Sequence, residues 1–308
     1  MKQKHLLALK DCSREEIDEI FALARDLKAR PGDYRDALRG KTLAMVFQKP
    51  STRTRVSFEA GMFQLGGHAL YLGADAIQLN RGETVADTAR VLSRYVDGIM
   101  ARVFAHQDVL DLARHGSVPV INGLSDLLHP CQALADYLTL LERRGSFRGL
   151  KVAYVGDGNN VCHELMMGAV KLGLSFMAAT PAGYEPNQLI VKSAAREAHK
   201  VGGPAPVISA DPLQAVDGAD VVYTDTWTSM GQEAEAETRR QAFQGFMVTP
   251  AMMAAAGPQA VFMHCLPAHR GEEVAAEVID GPQSVVFEQA ENRLHVQKAL
   301  LVLLLSGR

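Results

Sequence analysis

Short apolar runs alternate with amphipathic stretches along most of this chain. A capping box, Ser13 with Glu16 three residues on, opens a helix whose apolar positions are Ile17, Ile20, Phe21 and Leu23. The run Thr42–Phe47 predicts a strand, followed by the basic turn Gln48-Lys49-Pro50-Ser51-Thr52-Arg53-Thr54-Arg55. A helical pattern then passes through Phe58, Met62 and Leu65 and stops at Gly66-Gly67. Further strands are expected at 69–72, 98–104 and 118–121, and helices at 84–95, 108–115 and 130–143. Beyond Gly145-Ser146-Phe147-Arg148-Gly149 a second series starts with a strand at 151–155, a helix at 160–172 and a strand at 174–180. Later strand candidates are 207–209, 219–224, 260–263 and 284–287, and 292–305 reads as one strongly apolar helix.

Strands alternating with helices predict an α/β protein with parallel sheets covered on both faces. A length of 308 residues exceeds the roughly 250–300 at which single cores stop growing. Two doubly wound parallel-sheet domains are therefore expected, with the active site between them. The first would take residues 1–145, with a C-terminal helix at 289–308 packing back on it, and the second 146–288. Ligands of such sheets sit beyond the carboxyl ends of the strands. The turns after Phe47, Phe104, Ile121, Val155, Thr224 and Met263 are the candidate site walls.

Charge narrows the partners. A net charge of −3 leaves no global basic field for nucleic acid, so any anion must be met by a local cluster. The longest apolar run, Ala299 to Leu305, is far short of the ~20 residues of a membrane span. The start, Met1-Lys2-Gln3-Lys4-His5, lacks the apolar core of a signal peptide, and Cys12, Cys131, Cys162 and Cys265 show no metal-type spacing. A cytoplasmic protein without metal, cofactor, membrane or nucleic-acid partner is expected.

The turn Ser51–Arg55 stands where a strand hands over to a helix. Free backbone N–H groups, hydroxyls and two guanidiniums there suit phosphate, although a capped helix with two solvated arginines has the same composition. His129-Pro130-Cys131-Gln132 also enters a helix, with an imidazole and an amide able to hold a carbonyl and an amino group. Arg102 ends an apolar strand, where a charge needs either a ligand or a structural ion partner. Gly156-Asp157-Gly158-Asn159-Asn160 follows a strand, but Val161 occupies the place of the third glycine, so the dinucleotide fingerprint fails. Gly40-Lys41-Thr42 is no phosphate loop either, since it precedes a strand. Cys265 beside His264 suggests an activated thiol, yet neighbours on a strand point to opposite faces, so His264 is badly placed to activate it, and a buried inert cysteine has the same sequence.

Ser51-Thr52-Arg53-Thr54-Arg55, Arg102, His129-Pro130-Cys131-Gln132 and His264-Cys265-Leu266-Pro267 together resemble the aspartate/ornithine carbamoyltransferase family. Asp225-Thr226-Trp227-Thr228-Ser229-Met230-Gly231 resembles its ornithine branch, and the likeness runs from the first helix to Glu291-Asn292-Arg293. The resemblance implies that Ser51, Thr52, Arg53 and Thr54 bind the phosphate of carbamoyl phosphate. Arg102, His129 and Gln132 would hold its carbamoyl group, and Cys265, Leu266 and Arg293 would also line that site. Asn160, Asp225, Ser229 and Met230 would take ornithine. Arg102, His129 and Cys265 would carry the catalysis, a transfer to the δ-amine that gives citrulline and phosphate. A homotrimer is implied, with Gln78 reaching a neighbouring subunit's site. Another amine acceptor (putrescine, N-acetylornithine or aspartate) is the alternative. Glu164, in Cys162-His163-Glu164, departs from the family pattern and faces either the acceptor or solvent.

Overall fold

The computed structural model describes residues 2–75, 77, 82–229 and 231–306. By packing, the chain divides into two units, Met1–Leu138 with Glu291–Arg308, and Thr139–Ala290.

In the first unit α1 (Arg14–Ala29) is capped by Ser13, whose hydroxyl accepts from Glu16 N while Glu16 reaches back to Ser13 N. Then come β1 (Thr42–Phe47), α2 (Thr52–Gln64), β2 (His68–Leu72), α3 (Val85–Leu92), β3 (Gly98–Arg102), α4 (His106–His115), β4 (Val120–Leu124) and α5 (Pro130–Arg144), whose last residues from Thr139 belong to the second unit. The four strands form one parallel sheet in the order β2-β1-β3-β4. Its core packs Ala44, Val46, Ile99 and Ala101 against Val109 and Leu112 of α4. Burial of β1 and β3 on both faces is why their sequences are continuous apolar runs rather than alternating ones.

The second unit holds β5 (Lys151–Val155), α6 (Asn160–Leu172), β6 (Ser175–Ala179), α7 (Gln188–Val201), β7 (Val207–Ser209), α8 (Pro212–Val216), β8 (Val221–Thr224), α9 (Ala236–Ala242), α10 (Pro250–Ala256), β9 (Val261–His264) and α11 (Ala276–Ile279). Its parallel sheet runs β7-β6-β5-β8-β9. Phe243, Phe246, Trp227 and Phe262 fill the core beside Val155 and Val222. The last helix, α12, spans Val286–Leu305.

The chain winds outward from β1 to β2 and then returns to lay β3 on the other side of β1. In the second unit it winds from β5 to β7 and returns to lay β8 beside β5. Each sheet thus has a switch point, between β1 and β3 and between β5 and β8, where a crevice opens beyond the strand ends.

One expected strand is overturned. Ser284 makes only a single bridge to Phe262, and Val286 already opens α12. The β-branched pair Val285 and Val286 reads as strand from composition, but both are buried at the approach to a helix. The expected strand at 98–104 stops at Arg102, which places that side chain at the sheet's carboxyl edge.

Candidate functional site

Two constellations form, one at each switch point. In the first unit Gln48 ties the turn after β1 to the turn after β3. Its N–H donates to the Arg102 carbonyl at 2.8 Å, and its side-chain oxygen accepts from Phe104 N at 2.8 Å. The Ser51 hydroxyl caps α2 by accepting from Thr54 N at 3.3 Å and lies 3.2 Å from the Thr54 hydroxyl. Thr54 is buried, whereas Thr52 and Arg53 are exposed at the helix start. Arg55 turns away: it pairs with Glu59 at 3.0 Å and lies over the Tyr71 ring at 3.9 Å. The motif therefore divides into a donor-rich cap and one structural arginine.

Arg102, Lys49 and His129 are each buried and feel one another's charge. Burial lowers the Lys49 ammonium pKa, the Arg102 charge adds to that, and Asp126 partly opposes it. The Lys49 ammonium lies 4.7 Å from the Phe104 ring centroid. His129 is held well below the ordinary histidine value by burial first and then by Arg293, Arg102 and Lys49. Its imidazole is therefore neutral, and Nδ1 has no hydrogen-bond partner among the described residues. Gln132 is fixed at both ends of its amide. Nε2 donates to Asp136 at 2.7 Å, and Oε1 accepts from Arg293 at 2.5 Å. One N–H and one lone pair of that amide are left to face a ligand. So many cations converging with few carboxylates make a cradle for an anion.

In the second unit the β5 turn and the β8 turn meet. Asn159 caps α6 with its side-chain oxygen and donates from Nδ2 to Asp225 Oδ2 at 2.7 Å. Asp225 Oδ1 accepts from Thr226 N at 2.8 Å and from the Cys265 thiol at 2.9 Å. Ser229 N donates to the Gln232 side chain at 3.1 Å. Asn160 begins α6 and is half-buried. His264 does not touch the thiol. Its Nδ1 accepts from Leu266 N at 2.8 Å, and Nε2 lies 3.2 Å from Glu273, both side chains being fully buried. That bond helps hold Leu266 at φ 59, a left-handed conformation that non-glycine residues seldom adopt.

Gly158 has a structural reason: a Cβ there would sit 2.2 Å from Pro186 N. Glu164 is 1% exposed, so it faces neither solvent nor open space, and neighbouring His163 accepts from Asn187 N. Gln78 and Met230 lie outside the described residues. Asp225, His264 and Cys265 each offer a possible metal ligand atom within 4.8 Å of the others, as do His269, Glu272 and Glu273. In the first group both ring nitrogens of His264 are already engaged, which leaves an incomplete donor set.

Lys49 and Asn159 are site residues that sequence reasoning did not assign. Lys49 sits in the basic turn among residues of stronger signal, and Asn159 stands beside Asn160, which has the same side chain.

Comparison with known proteins identifies the family. The model for the aspartate/ornithine carbamoyltransferase carbamoyl-P binding domain matches residues 4–142, and that for the Asp/Orn binding domain matches 148–304. An ornithine carbamoyltransferase of Thermococcus kodakarensis is 60% identical over 306 residues, covering 99% of this chain and 97% of that one. One from Bacillus subtilis is 56% identical, covering 97% of this chain and 92% of that one. The ornithine carbamoyltransferase structure from Pyrococcus furiosus superposes with a TM-score of 0.95 at 58% identity, covering 99% of this chain and 97% of that one. With both domain models matched and identity of this order along the whole length, the chain belongs to the aspartate/ornithine carbamoyltransferase family.

Proposed function

We propose that the protein transfers the carbamoyl group of carbamoyl phosphate to the δ-amine of L-ornithine, giving citrulline and phosphate. The observation that carries this reading is the pairing of an anion cradle at one switch point with a carboxylate, Asp225, held by three donors at the other. The amino-terminal half (residues 1–145 with the C-terminal helix) takes carbamoyl phosphate, and residues 146–288 take the amino acid.

Ser51, Thr52, Arg53 and Thr54 grip the phosphate, while Arg102, His129 and Gln132 hold the carbamoyl end. Arg293 orients the Gln132 amide. Asp225 and Ser229 receive the α-ammonium, Asn160 and Met230 the α-carboxylate, and Cys265 with the Leu266 carbonyl borders the reacting amine. The neutral δ-amine attacks the carbamoyl carbon and forms a C–N bond. The C–O bond to phosphate then breaks, phosphate leaves with that electron pair, and the ammonium proton passes to it. Donors from Arg102 and neutral His129 meet the negative charge that grows on the carbonyl oxygen. The acyl phosphate is already activated, so the reading calls on no cofactor.

Aspartate fits less well as acceptor, because its extra carboxylate finds no cation in the 225–229 segment. Putrescine lacks both α groups that Asp225 and Asn160 read in this proposal. We further infer a cytoplasmic homotrimer in which Gln78 completes a neighbour's site. The family resemblance supports the trimer. Four free cysteines support a reducing compartment, and no described helix is long and apolar enough to cross a membrane. Mixing the protein with carbamoyl phosphate and ornithine tests the reaction: equal amounts of citrulline and phosphate support it, and phosphate without citrulline refutes it.

A further inference from the structure

Arg239 and Asp157 form a buried ion pair that the transfer chemistry does not use. Arg239 Nη1 donates to Asp157 Oδ2 at 3.1 Å and to the Trp227 carbonyl at 2.9 Å. Its guanidinium lies 4.9 Å from the Tyr184 ring centroid, and Nε donates to the exposed Glu235 at 3.2 Å. Two residues after Asp157, Asn159 donates to Asp225. The 157–159 turn thus holds the 225–227 segment directly through Asn159 and indirectly through Arg239. The turn itself is braced at Gly158, where the Glu185-Pro186 backbone leaves no room for a side chain. A buried ion pair is seldom the most stable filling of its space, so its presence argues for geometry rather than stability.

We propose that the Asp157–Arg239 pair is a positioning device that fixes the 225–229 segment and so sets the affinity for the acceptor amino acid. This rests on the reading that Asp225 and Ser229 hold the α-ammonium. Burial pushes the Asp157 carboxyl up to about 6 against the pull of Arg239, and Asp225 and Glu235 push the same way. The Tyr154 hydroxyl and the Cys162 thiol are the other titratable groups beside it. Asp157 is ionised above that value, so acceptor affinity falls as the pH drops through it.

L-Norvaline serves as the probe: it keeps both α groups of ornithine, lacks the δ-amine, and holds a constant charge over the range used. Its inhibition constant against ornithine is measured from about pH 8 to about pH 5. In the wild type it should rise about tenfold one unit below the carboxyl's value, and in Asp157→Asn it should be raised and flat. Arg239→Lys, with one donor centre in place of a fork, should raise the ornithine KM and the norvaline constant about tenfold. Its carbamoyl phosphate KM and kcat should stay within about threefold of the wild type. Glu235→Gln should change neither constant. A flat wild-type profile, or equal shifts in the KM of both substrates, overturns the proposal, and the wild-type profile decides even if Arg239→Lys fails to fold. Asp225→Asn separates the two layers. If it leaves norvaline binding intact, the underlying reading fails; if it weakens binding while Arg239→Lys does not, only the positioning proposal fails.

Discussion

Cys265 donates its thiol hydrogen to Asp225 across 2.9 Å. A thiol that donates to a carboxylate is protonated, the opposite of the thiolate that covalent catalysis needs. The His264 ring beside it is committed to Leu266 and Glu273. Cys265→Ser, which keeps a donor, should retain kcat/KM within about tenfold, against the roughly 10⁶-fold loss seen when a true nucleophile is removed. Initial rates, with mass spectrometry of quenched enzyme for any covalent adduct, check this.

His129 offers a neutral imidazole because burial and three nearby cations oppose its protonation. Removing one such donor costs about 2.7–4 kcal/mol, so His129→Ala should lower kcat about 10²–10³-fold. A group held well below 6.5 stays neutral above that pH. With ornithine saturating, the wild-type rate should therefore show no histidine inflection between about pH 6.5 and pH 8, and should rise only as the δ-amine loses its proton. The pH–rate profile of the wild type and variant decides.

Lys49 is buried with its charged form disfavoured, and an incoming phosphate would relieve that cost. A hydrogen bond to a charged group contributes about 1.5–3 kcal/mol. Lys49→Met should therefore raise the carbamoyl phosphate KM about tenfold or more while leaving the ornithine KM unchanged. Steady-state kinetics with each substrate varied in turn separates the two.

Glu273 is a structural prediction. Burial raises its carboxyl pKa, but bonds from His264 and from the His269 N–H outweigh that and leave it below 4.5. For an acid so depressed, the stabilisation is full above the unfolded value and is lost as pH falls through the folded one. Glu273→Gln should cost about 1.5–3 kcal/mol near neutral pH, and the difference should shrink as pH falls below about 4.5. Thermal melts at several pH values measure it.

The helix cap at Ser51 was legible in the sequence because it is local, whereas a phosphate role for it came only with the family resemblance. Ser51 to Thr54 form the cap of one helix, and strand–turn–helix patterning marks that place from composition and period alone. Pairings across the sheet were not legible. Nothing in a run of letters says that Asn159 rather than Asn160 reaches Asp225, or that Arg239 closes on Asp157. The strand expected at 284–287 failed because Val285 and Val286 suit a strand and a buried helix start equally well. Glu164 could not be placed because a helix buried nearly all round, as α6 is, shows no polar face to betray it.

The measurement that bears most directly on the account is initial-rate kinetics with carbamoyl phosphate and, in parallel, ornithine, aspartate, putrescine and N-acetylornithine. The account predicts turnover with ornithine and at most trace rates with the other three, because only ornithine brings a free α-ammonium to Asp225 and a neutral amine to Cys265. Faster turnover with any other amine would leave the phosphate cradle standing and contradict the assignment of Asp225, Ser229 and Asn160.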